Sequence, residues 1–401
     1  MKWSQYELKN SYLFLVSIFI VLFGLTFTQL TPKKALSSLD PDIQWNLVDV
    51  GAEEAWNYTQ GNPNIVVAVI DSGIDFTHQD LKNQSWSNPN EIPKNGKDDD
   101  KNGYVDDIVG WDFRDNDNDP SPGHKHGTFV AGLIAADDDN DICVGIAPNI
   151  HLMSLRFLND QNRFGGEDWG IFEEAIRYAT QNGADIIHMS IQACSIPPDP
   201  FHDAIIDAYE LGISIVSVTG NIPACGKTHV HYPGNYSEVI AVSATNQSHG
   251  IASFSCYGGQ NEICAPGDKV FSIYPDTWTP QLGSGTSFAA PLVSGTIALI
   301  LSINPSLSIE EIRSILHETS NDLGVSGEDP FFGYGLLNVS AALEKVMLEY
   351  DNGSISNEPE SSTSSITTTS STINGLTINN IVGVLALTFI FKRKLKKLRK
   401  E

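Results

Sequence analysis

Basic residues are scarce in this chain, which has 24 Lys and Arg against 49 Asp and Glu among 401 residues and a formal net charge of −25. Because residues 392–401 contain seven of the bases and one acid, the rest of the chain has 17 bases, 48 acids and a net charge of −31. So acidic a body repels phosphate backbones, which argues against nucleic acid as a partner. The same charge attracts cations, although solubility at a charged or salty surface explains it equally well.

Cysteine is also sparse, and no internal repeat is visible. The five cysteines are Cys143, Cys194, Cys225, Cys256 and Cys264. Their spacings exclude the usual zinc motifs, and their odd number leaves at least one thiol outside any disulfide. The remaining composition, 41% hydrophobic and 18% charged, is that of one large globular domain with tails.

Two apolar segments lie near the ends of the chain. The run YLFLVSIFIVLFGLTF predicts a signal peptide or an uncleaved signal anchor within residues 1–30, with a buried core helix as the alternative. Residues 376–391 are apolar enough to span a membrane, although this segment is short. By the positive-inside rule, the basic residues 392–401 form a cytoplasmic tail and the body lies at the cell surface. The alternative is a basic amphipathic tail lying on a membrane or a partner.

The region between these segments divides into a linker, a body and a stalk. Residues 31–44 predict a short linker, and residues 346–375, rich in Ser and Thr, predict a flexible stalk. The body, residues 45–345, alternates short β-branched runs with amphipathic runs. This pattern predicts an α/β domain, a largely parallel sheet with helices on both faces in three layers. Functional residues in such domains collect at the carboxyl ends of the strands.

Three short segments of the body contain residues suited to nucleophilic catalysis. The apolar run VVAVI ends at Asp71, where a carboxylate is costly unless it holds a partner. His126 begins HGTFVAGLIAA, which is typical of a closely packed helix, whereas His124 lacks the Gly-Thr that follows His126. Ser287 lies in GSGTSFAAPLVSG, at a turn into a helix where a serine is often only a cap. Each segment alone also fits an ordinary structural residue.

Together the segments resemble the subtilisin-like serine proteases over about residues 44–343, and the order Asp, His, Ser is that family's order. The resemblance implies a serine endopeptidase that acts on polypeptide substrates. The resemblance further implies that Asp71 orients the imidazole of His126, that His126 is the general base and then the general acid, and that Ser287 is the nucleophile. The resemblance also implies that Asn221, which ends GISIVSVTGN, helps to hold the oxyanion.

The sequence departs from the family where the substrate should bind. ADIIHMSIQAC aligns with a family segment reading Asn-Met-Ser-Leu-Gly-Gly, so that Ser190 matches while Gln192 and Ala193 replace the glycines. The resemblance implies that this segment forms one wall of the pocket that accepts the substrate side chain before the cut bond. We therefore expect the enzyme to accept a restricted set of residues at that position. Gly165 and Gly166 align with the edge strand on which family substrates lie as an added strand. A plain surface loop is the alternative for these two glycines.

The alignment also bears on the cysteines. Cys194 and Cys225 follow the two walls of this pocket, and we expect a disulfide between them in an exported chain. Cys256 and Cys264 flank a predicted hairpin and could pair across it. Cys143 is expected to be a buried thiol.

An acidic stretch, KNGKDDDKNGYVDDIVGW, contains candidate metal ligands. Asp98, Asp100 and Asn102 alternate as in a calcium loop, and Asp106 or Asp107 is placed to complete the set. Similar acidic inserts in bacterial members of the family are associated with calcium, so we expect a structural calcium ion. A solvated acidic loop is the alternative.

Two rival interpretations and one question of activation follow from the resemblance. The missing pocket glycines would suit a catalytically inactive relative that acts as a surface binding module. An α/β-hydrolase esterase would need a Gly-x-Ser-x-Gly elbow before its Asp and His, whereas Ser287 comes last.

Many relatives have a folded propeptide before the catalytic domain. Residues 31–44 contain none that is evident, so either activation needs no prodomain or an activating partner supplies its role.

Overall fold

The computed structural model describes residues 42–138, 143–225, 228–277 and 279–351. The segments predicted as signal, membrane span and cytoplasmic tail, and all of the predicted stalk after residue 351, lie outside the described residues. Within the described ranges one helix, Thr286–Ile303, is long and apolar enough to cross a membrane, and it is largely buried in the domain.

Seven parallel strands form the central sheet. They are β1 (Val66–Asp71), β2 (Gly110–Asp112), β3 (His151–Arg156), β4 (Ile186–Met189), β5 (Ser214–Val218), β6 (Val239–Thr245) and β7 (Ile263–Pro266). Their spatial order is β2-β3-β1-β4-β5-β6-β7. Every residue of β1, β4, β5 and β6 is buried, as expected for a parallel sheet that is covered on both faces. A separate antiparallel pair consists of β8 (Val270–Ser272) and β9 (Gln281–Gly283).

Helices cover both faces of this sheet. They are α1 (Trp45–Asp49), α2 (Ala52–Ala55), α3 (Lys125–Ala135), α4 (Trp169–Gln181), α5 (Asp199–Glu210), α6 (Thr286–Ile303), α7 (Ile309–Thr319) and α8 (Val339–Asp351), with a 3-10 helix at Gly166–Asp168. Successive side chains of β1 enter two different cores, because strand residues alternate between the faces of a sheet. Val67 and Val69 pack with α3 and α6, whereas Ala68 and Ile70 pack with α4 and α5. The predicted three-layer α/β/α fold is confirmed.

The order of the strands brings three predicted site residues to one edge of the sheet. Asp71 is the last residue of β1, Ser190 follows β4 directly, and Asn221 comes shortly after β5. These three strands are neighbours in the sheet and run in the same direction. Their carboxyl ends therefore meet, although the three residues are far apart in sequence.

Helix α6 occupies the middle of the domain. It is apolar all round, and such helices are buried in the core of a protein. Fourteen of its eighteen residues are buried, which makes it the central support of the face that it covers. Gly295 allows the close packing, since a Cβ there would lie 1.6 Å from Cγ2 of Ile146.

Candidate active site

The carboxylate of Asp71 holds the imidazole of His126. Asp71 is fully buried, and its Oδ1 and Oδ2 lie 2.8 and 3.0 Å from Nδ1 of His126. The backbone N–H of Ser72 donates to the same Oδ1 at 2.7 Å, which fixes the carboxylate. A carboxylate can only accept, so Nδ1 carries the proton and the opposite ring nitrogen is left as a base.

The start of α3 is held closely against the turn after β1. Oγ of Ser72 accepts the N–H of Gly127 at 3.0 Å and donates to the carbonyl oxygen of His124 at 2.9 Å. A Cβ on Gly127 would lie 2.3 Å from the carbonyl oxygen of Gly73, so a larger residue would push the helix away. Nδ1 of His124 accepts the N–H of His126, which makes His124 the cap of α3.

Ser287 is the second residue of α6 and lies in the same cleft as His126. The cleft is lined by His126, Leu158, Asn162, Arg163, Phe164, Ser190, Ile191, Gln192, Asn221 and Ser287. Oγ of Ser287 lies 3.4 Å from the carbonyl oxygen of Ser190. Five of the residues predicted from the sequence therefore line one cleft, with Asp71 directly behind His126.

The side chain of Asn221 is oriented by the first residue of α6. Its Oδ1 accepts the N–H of Thr286 at 2.9 Å, which leaves its Nδ2 as a donor. The amino terminus of an 18-residue helix lies beside it. Helix amino termini favour negative charge, so this corner of the cleft suits an anionic oxygen.

A buried histidine that the sequence analysis did not select supports the segment next to Ser287. Nε2 and Nδ1 of His188 lie 2.8 Å from Oγ of Ser190 and Oγ of Ser294 respectively. Oγ of Ser190 in turn donates to the carbonyl oxygen of Ser287 at 2.8 Å. Burial lowers the pKa of His188 to about 3, so the ring is neutral at pH 7. A histidine within an apolar strand, two residues before Ser190, was the available signal.

The two glycines predicted to pair with a substrate strand lie just beyond the cleft lining. Gly165 is extended, but its N–H donates to Oδ2 of Asp168 at 2.6 Å, and Gly166 begins the 3-10 helix. Phe164, immediately before them, lines the cleft. The added-strand role of Gly165 and Gly166 stays a prediction.

One expected disulfide is present and another is not. Cys194 and Cys225 are joined, with their Cα atoms 5.1 Å apart. Cys256 and Cys264 do not form the suggested second bridge. The predicted hairpin between them was wrong, because Cys264 belongs to β7, which pairs in parallel with β6. Cys143 is buried as expected, and burial raises its pKa to about 12.

Three carboxylates converge in the acidic stretch. One oxygen each of Glu91, Asp100 and Asp107 lies within 4.8 Å of the others. The alternating pattern of acids predicted Asp100 and Asp107 as ligands but not Glu91, which lies upstream of that pattern. The carboxylate of Asp98 makes hydrogen bonds within the loop, where it accepts the backbone N–H groups of Asn102 and Gly103 at 3.1 and 2.9 Å.

The chemistry of this cluster fits a hard cation. Carboxylate oxygens are ligands that calcium prefers, and buried carboxylates close together require a positive partner. Nδ2 of Asn102 lies 3.2 and 2.9 Å from oxygens of Asp100 and Asp107, and Nδ2 of Asn88 contacts the same two residues. Oδ1 of Asn88 and Oδ1 of Asn102 each accept a backbone N–H, at 3.0 and 2.8 Å, so either amide would give up that bond if it turned over to supply an oxygen ligand. Burial raises the pKa of Asp107 and the charge of Asp100 raises it further, although hydrogen bonds from Tyr178, Asn102 and Asn88 act in the opposite direction.

Comparison with known proteins identifies the family. The profile of the Subtilase family matches residues 62–335. The chain is 36% identical over 282 residues to subtilisin DY of Bacillus licheniformis, covering 70% of this chain and 91% of that protein. It is 31% identical over 302 residues to thermitase of Thermoactinomyces vulgaris, covering 75% and 96%. It is 33% identical over 308 residues to the halolysin-like extracellular serine protease Nep of Natrialba magadii, covering 76% and 51%. The chain belongs to the subtilase family and is a serine-type endopeptidase.

Proposed function

We propose that Asp71, His126 and Ser287 are the catalytic triad of this endopeptidase, with Asn221 as an oxyanion donor. The observation that carries the proposal is the pairing of buried Asp71 with His126 in the cleft that contains Ser287. A serine hydroxyl hardly ionises at neutral pH, so it needs an adjacent base whose tautomer is fixed. The bond from Nδ1 of His126 to Asp71 meets that requirement.

The proposed reaction begins when Oγ of Ser287 attacks the carbonyl carbon of the substrate peptide. Nε2 of His126 takes the hydroxyl proton, and Asp71 stabilises the imidazolium that forms. Nδ2 of Asn221 and the amino terminus of α6 stabilise the oxyanion. His126 then protonates the leaving amine as the C–N bond breaks and leaves an acyl-enzyme on Ser287. Water, deprotonated by His126, hydrolyses the ester and restores the free serine.

We further propose that the enzyme works at the cell surface. The apolar run within residues 1–30 would direct export, and residues 376–391 would anchor the chain, with residues 392–401 in the cytoplasm. Similarity to a relative named as extracellular supports an exported catalytic domain. The substrates would then be polypeptides outside the cell.

One labelling experiment tests the catalytic serine and its location together. Intact cells that express the full chain are treated with a membrane-impermeant phosphonate that reacts with activated serines. We expect the label on Ser287, identified by mass spectrometry, and we expect it to sediment with the cells. A chain that ends at residue 355 lacks the proposed anchor, so its label should appear in the medium if residues 1–30 are a cleaved signal peptide and should stay with the cells if they are an uncleaved signal anchor.

Each outcome bears on a different part of the proposal. Ser284→Ala is the matched control, because Ser284 lies in the same glycine-rich segment but its hydroxyl is exposed and donates to Asp268 at 2.8 Å. Label found only after lysis would contradict the surface location while keeping the triad. A folded protein that takes no label would favour the inactive binding module or an enzyme that awaits an activating partner.

We propose that calcium binds at Glu91, Asp100 and Asp107, where it would stabilise the loop. Of the four ligands predicted from the sequence, Asp100 and Asp107 are kept in this set. Asn102 is adjacent to it and would contribute its amide oxygen. Asp98 would stabilise the loop through its backbone contacts. Support comes from the convergence of the three carboxylates, since Glu91 and Asp107 are buried and Asp100 is partly buried.

The expected consequence is a melting temperature that depends on calcium. At a hundredfold excess over its dissociation constant, calcium adds about 2.7 kcal/mol to the free energy of unfolding, which corresponds to several degrees. The Asp107→Asn variant should lose most of this calcium-dependent increase in the free energy of unfolding. Differential scanning calorimetry with calcium and with chelator measures it, and Asp203→Asn, an equal charge change at an exposed site on α5, is the control. An equal increment in all three proteins would overturn the site.

A further inference from the structure

The side chain of Gln192 connects the two segments that flank the cleft beyond the paired part of β4 and β5. That pairing ends at Met189 and Ser217. Past this point, Oε1 of Gln192 accepts the backbone N–H of Asn221 at 2.5 Å, and its Nε2 donates to the backbone carbonyl oxygen of Asn221 at 3.3 Å. A carboxamide has the donor and acceptor of a peptide group, so here it takes the place of a neighbouring strand.

The segments on which this contact lies are held in place by other bonds. The disulfide from Cys194 to Cys225 joins the same two segments a few residues further on. Ala193 is fixed on its other side by two backbone hydrogen bonds with Tyr232, at 2.8 and 3.1 Å. The segments therefore resist moving apart, and a substrate side chain that enters between them must displace the carboxamide of Gln192 instead.

Displacement of Gln192 carries a penalty that depends on the entering side chain. An apolar side chain would leave the backbone N–H of Asn221 without its acceptor, Oε1 of Gln192. The carbonyl oxygen of Asn221 would lose Nε2 of Gln192 and keep the N–H of Ala224, at 3.3 Å. Unpaired polar groups in a desolvated site weaken binding strongly. A residue with no more than a Cβ or a small hydroxyl leaves the carboxamide where it is.

We infer that Gln192 determines specificity and restricts the residue before the cut bond to Gly, Ala or Ser. The inference rests on the proposed function, because it places that residue beside Ser287 and Asn221. Gln192 lines the cleft together with both of them. It also contacts Asn221 through the side chain, with Nδ2 of Asn221 3.4 Å from Oε1 of Gln192. The same glutamine thus limits the pocket and positions the proposed oxyanion donor.

The test compares peptide substrates that differ only in having Ala or Phe before the cut bond. The wild-type enzyme should prefer Ala by about tenfold or more in kcat/KM. Gln192→Gly should shift the Phe-to-Ala ratio toward Phe by about tenfold or more, because the obstruction and its hydrogen bonds are both removed. Gln192→Ala should shift it in the same direction, and thermal melts confirm that each variant is folded. Gln260→Gly, in an exposed loop outside the cleft, should keep the wild-type ratio.

The outcomes separate this inference from the proposed function. A wild-type enzyme that reacts with the phosphonate but prefers Phe, or variants that keep the wild-type ratio, would overturn the role of Gln192 alone. A wild-type preference for Gln over Ala, measured with a third peptide that has Gln before the cut bond, would also overturn it, since Gln192 would then be a ligand for polar side chains. A folded wild-type protein that neither takes the label nor cleaves any peptide would overturn both.

Discussion

Replacing Ser287 by alanine is expected to reduce kcat by a factor on the order of 10⁶, the loss found for the equivalent change in a subtilisin. The reason is that the acyl-enzyme route disappears with Oγ, while substrate binding and the oxyanion corner stay. The residual rate above that of water, on the order of 10³-fold, would come from these remaining parts. Initial rates on a fluorogenic peptide with Ala before the cut bond measure the loss.

Two companion variants make this result specific to the site. Asn221→Ala should reduce kcat by roughly 10²- to 10³-fold, since one oxyanion donor is removed while the nucleophile stays. Ser284→Ala should keep the wild-type rate, because its hydroxyl lies outside the cleft. A Ser287→Ala enzyme within about tenfold of wild type would refute the assigned nucleophile.

Acid is expected to destabilise the fold through His188. Its pKa in the folded protein is about 3, below the ordinary value of 6.5, because the effect of burial outweighs the opposing effect of the Asp71 charge. The unfolded chain therefore binds a proton as pH falls below 6.5, and the folded protein does not. This contribution to stability is complete above pH 6.5 and is lost toward pH 3, at a limiting slope of about 1.4 kcal/mol per pH unit.

The comparison that isolates this residue is His188→Asn, which has hydrogen-bonding groups but cannot ionise in this range. Urea unfolding between pH 7 and 4, in the Ser287→Ala background to prevent self-digestion, should show a shallower loss of stability in His188→Asn. His229→Asn, an exposed histidine replaced in the same way, should retain the wild-type slope. Identical slopes in all three proteins would show that His188 does not set the acid sensitivity.

Local sequence patterns were sufficient for much of the fold and for the choice of candidate site residues. The apolar run that ends at Asp71 became β1, and the small-residue run after His126 became α3. Both patterns reflect burial on a single element, which neighbouring residues in the sequence determine. The close approach of Gly127 to Gly73 explains why a glycine, and not a larger residue, follows His126.

What the sequence did not reveal depends on contacts between distant segments. Glu91 joins Asp100 and Asp107 only because the loop folds back on itself. The histidine at position 188 is linked to Ser294 on α6, 106 residues away, and nothing local indicates that partner. For Gln192, the alignment predicted restricted specificity, but the contact with the backbone of Asn221 is a tertiary feature. The cysteines show the same limit, since their order did not distinguish a parallel strand from a hairpin.

The location of Ser287 on α6 links the chemistry to the cooperativity of the whole domain. Helix α6 cannot detach locally, because fourteen of its eighteen residues are packed in the core and Gly295 lies tightly against Ile146. Partial openings in proteins are confined to segments with few buried contacts. The helix that carries Ser287 therefore detaches only when the core itself unfolds, so loops around the cleft can rearrange to admit a substrate while the helix keeps its position.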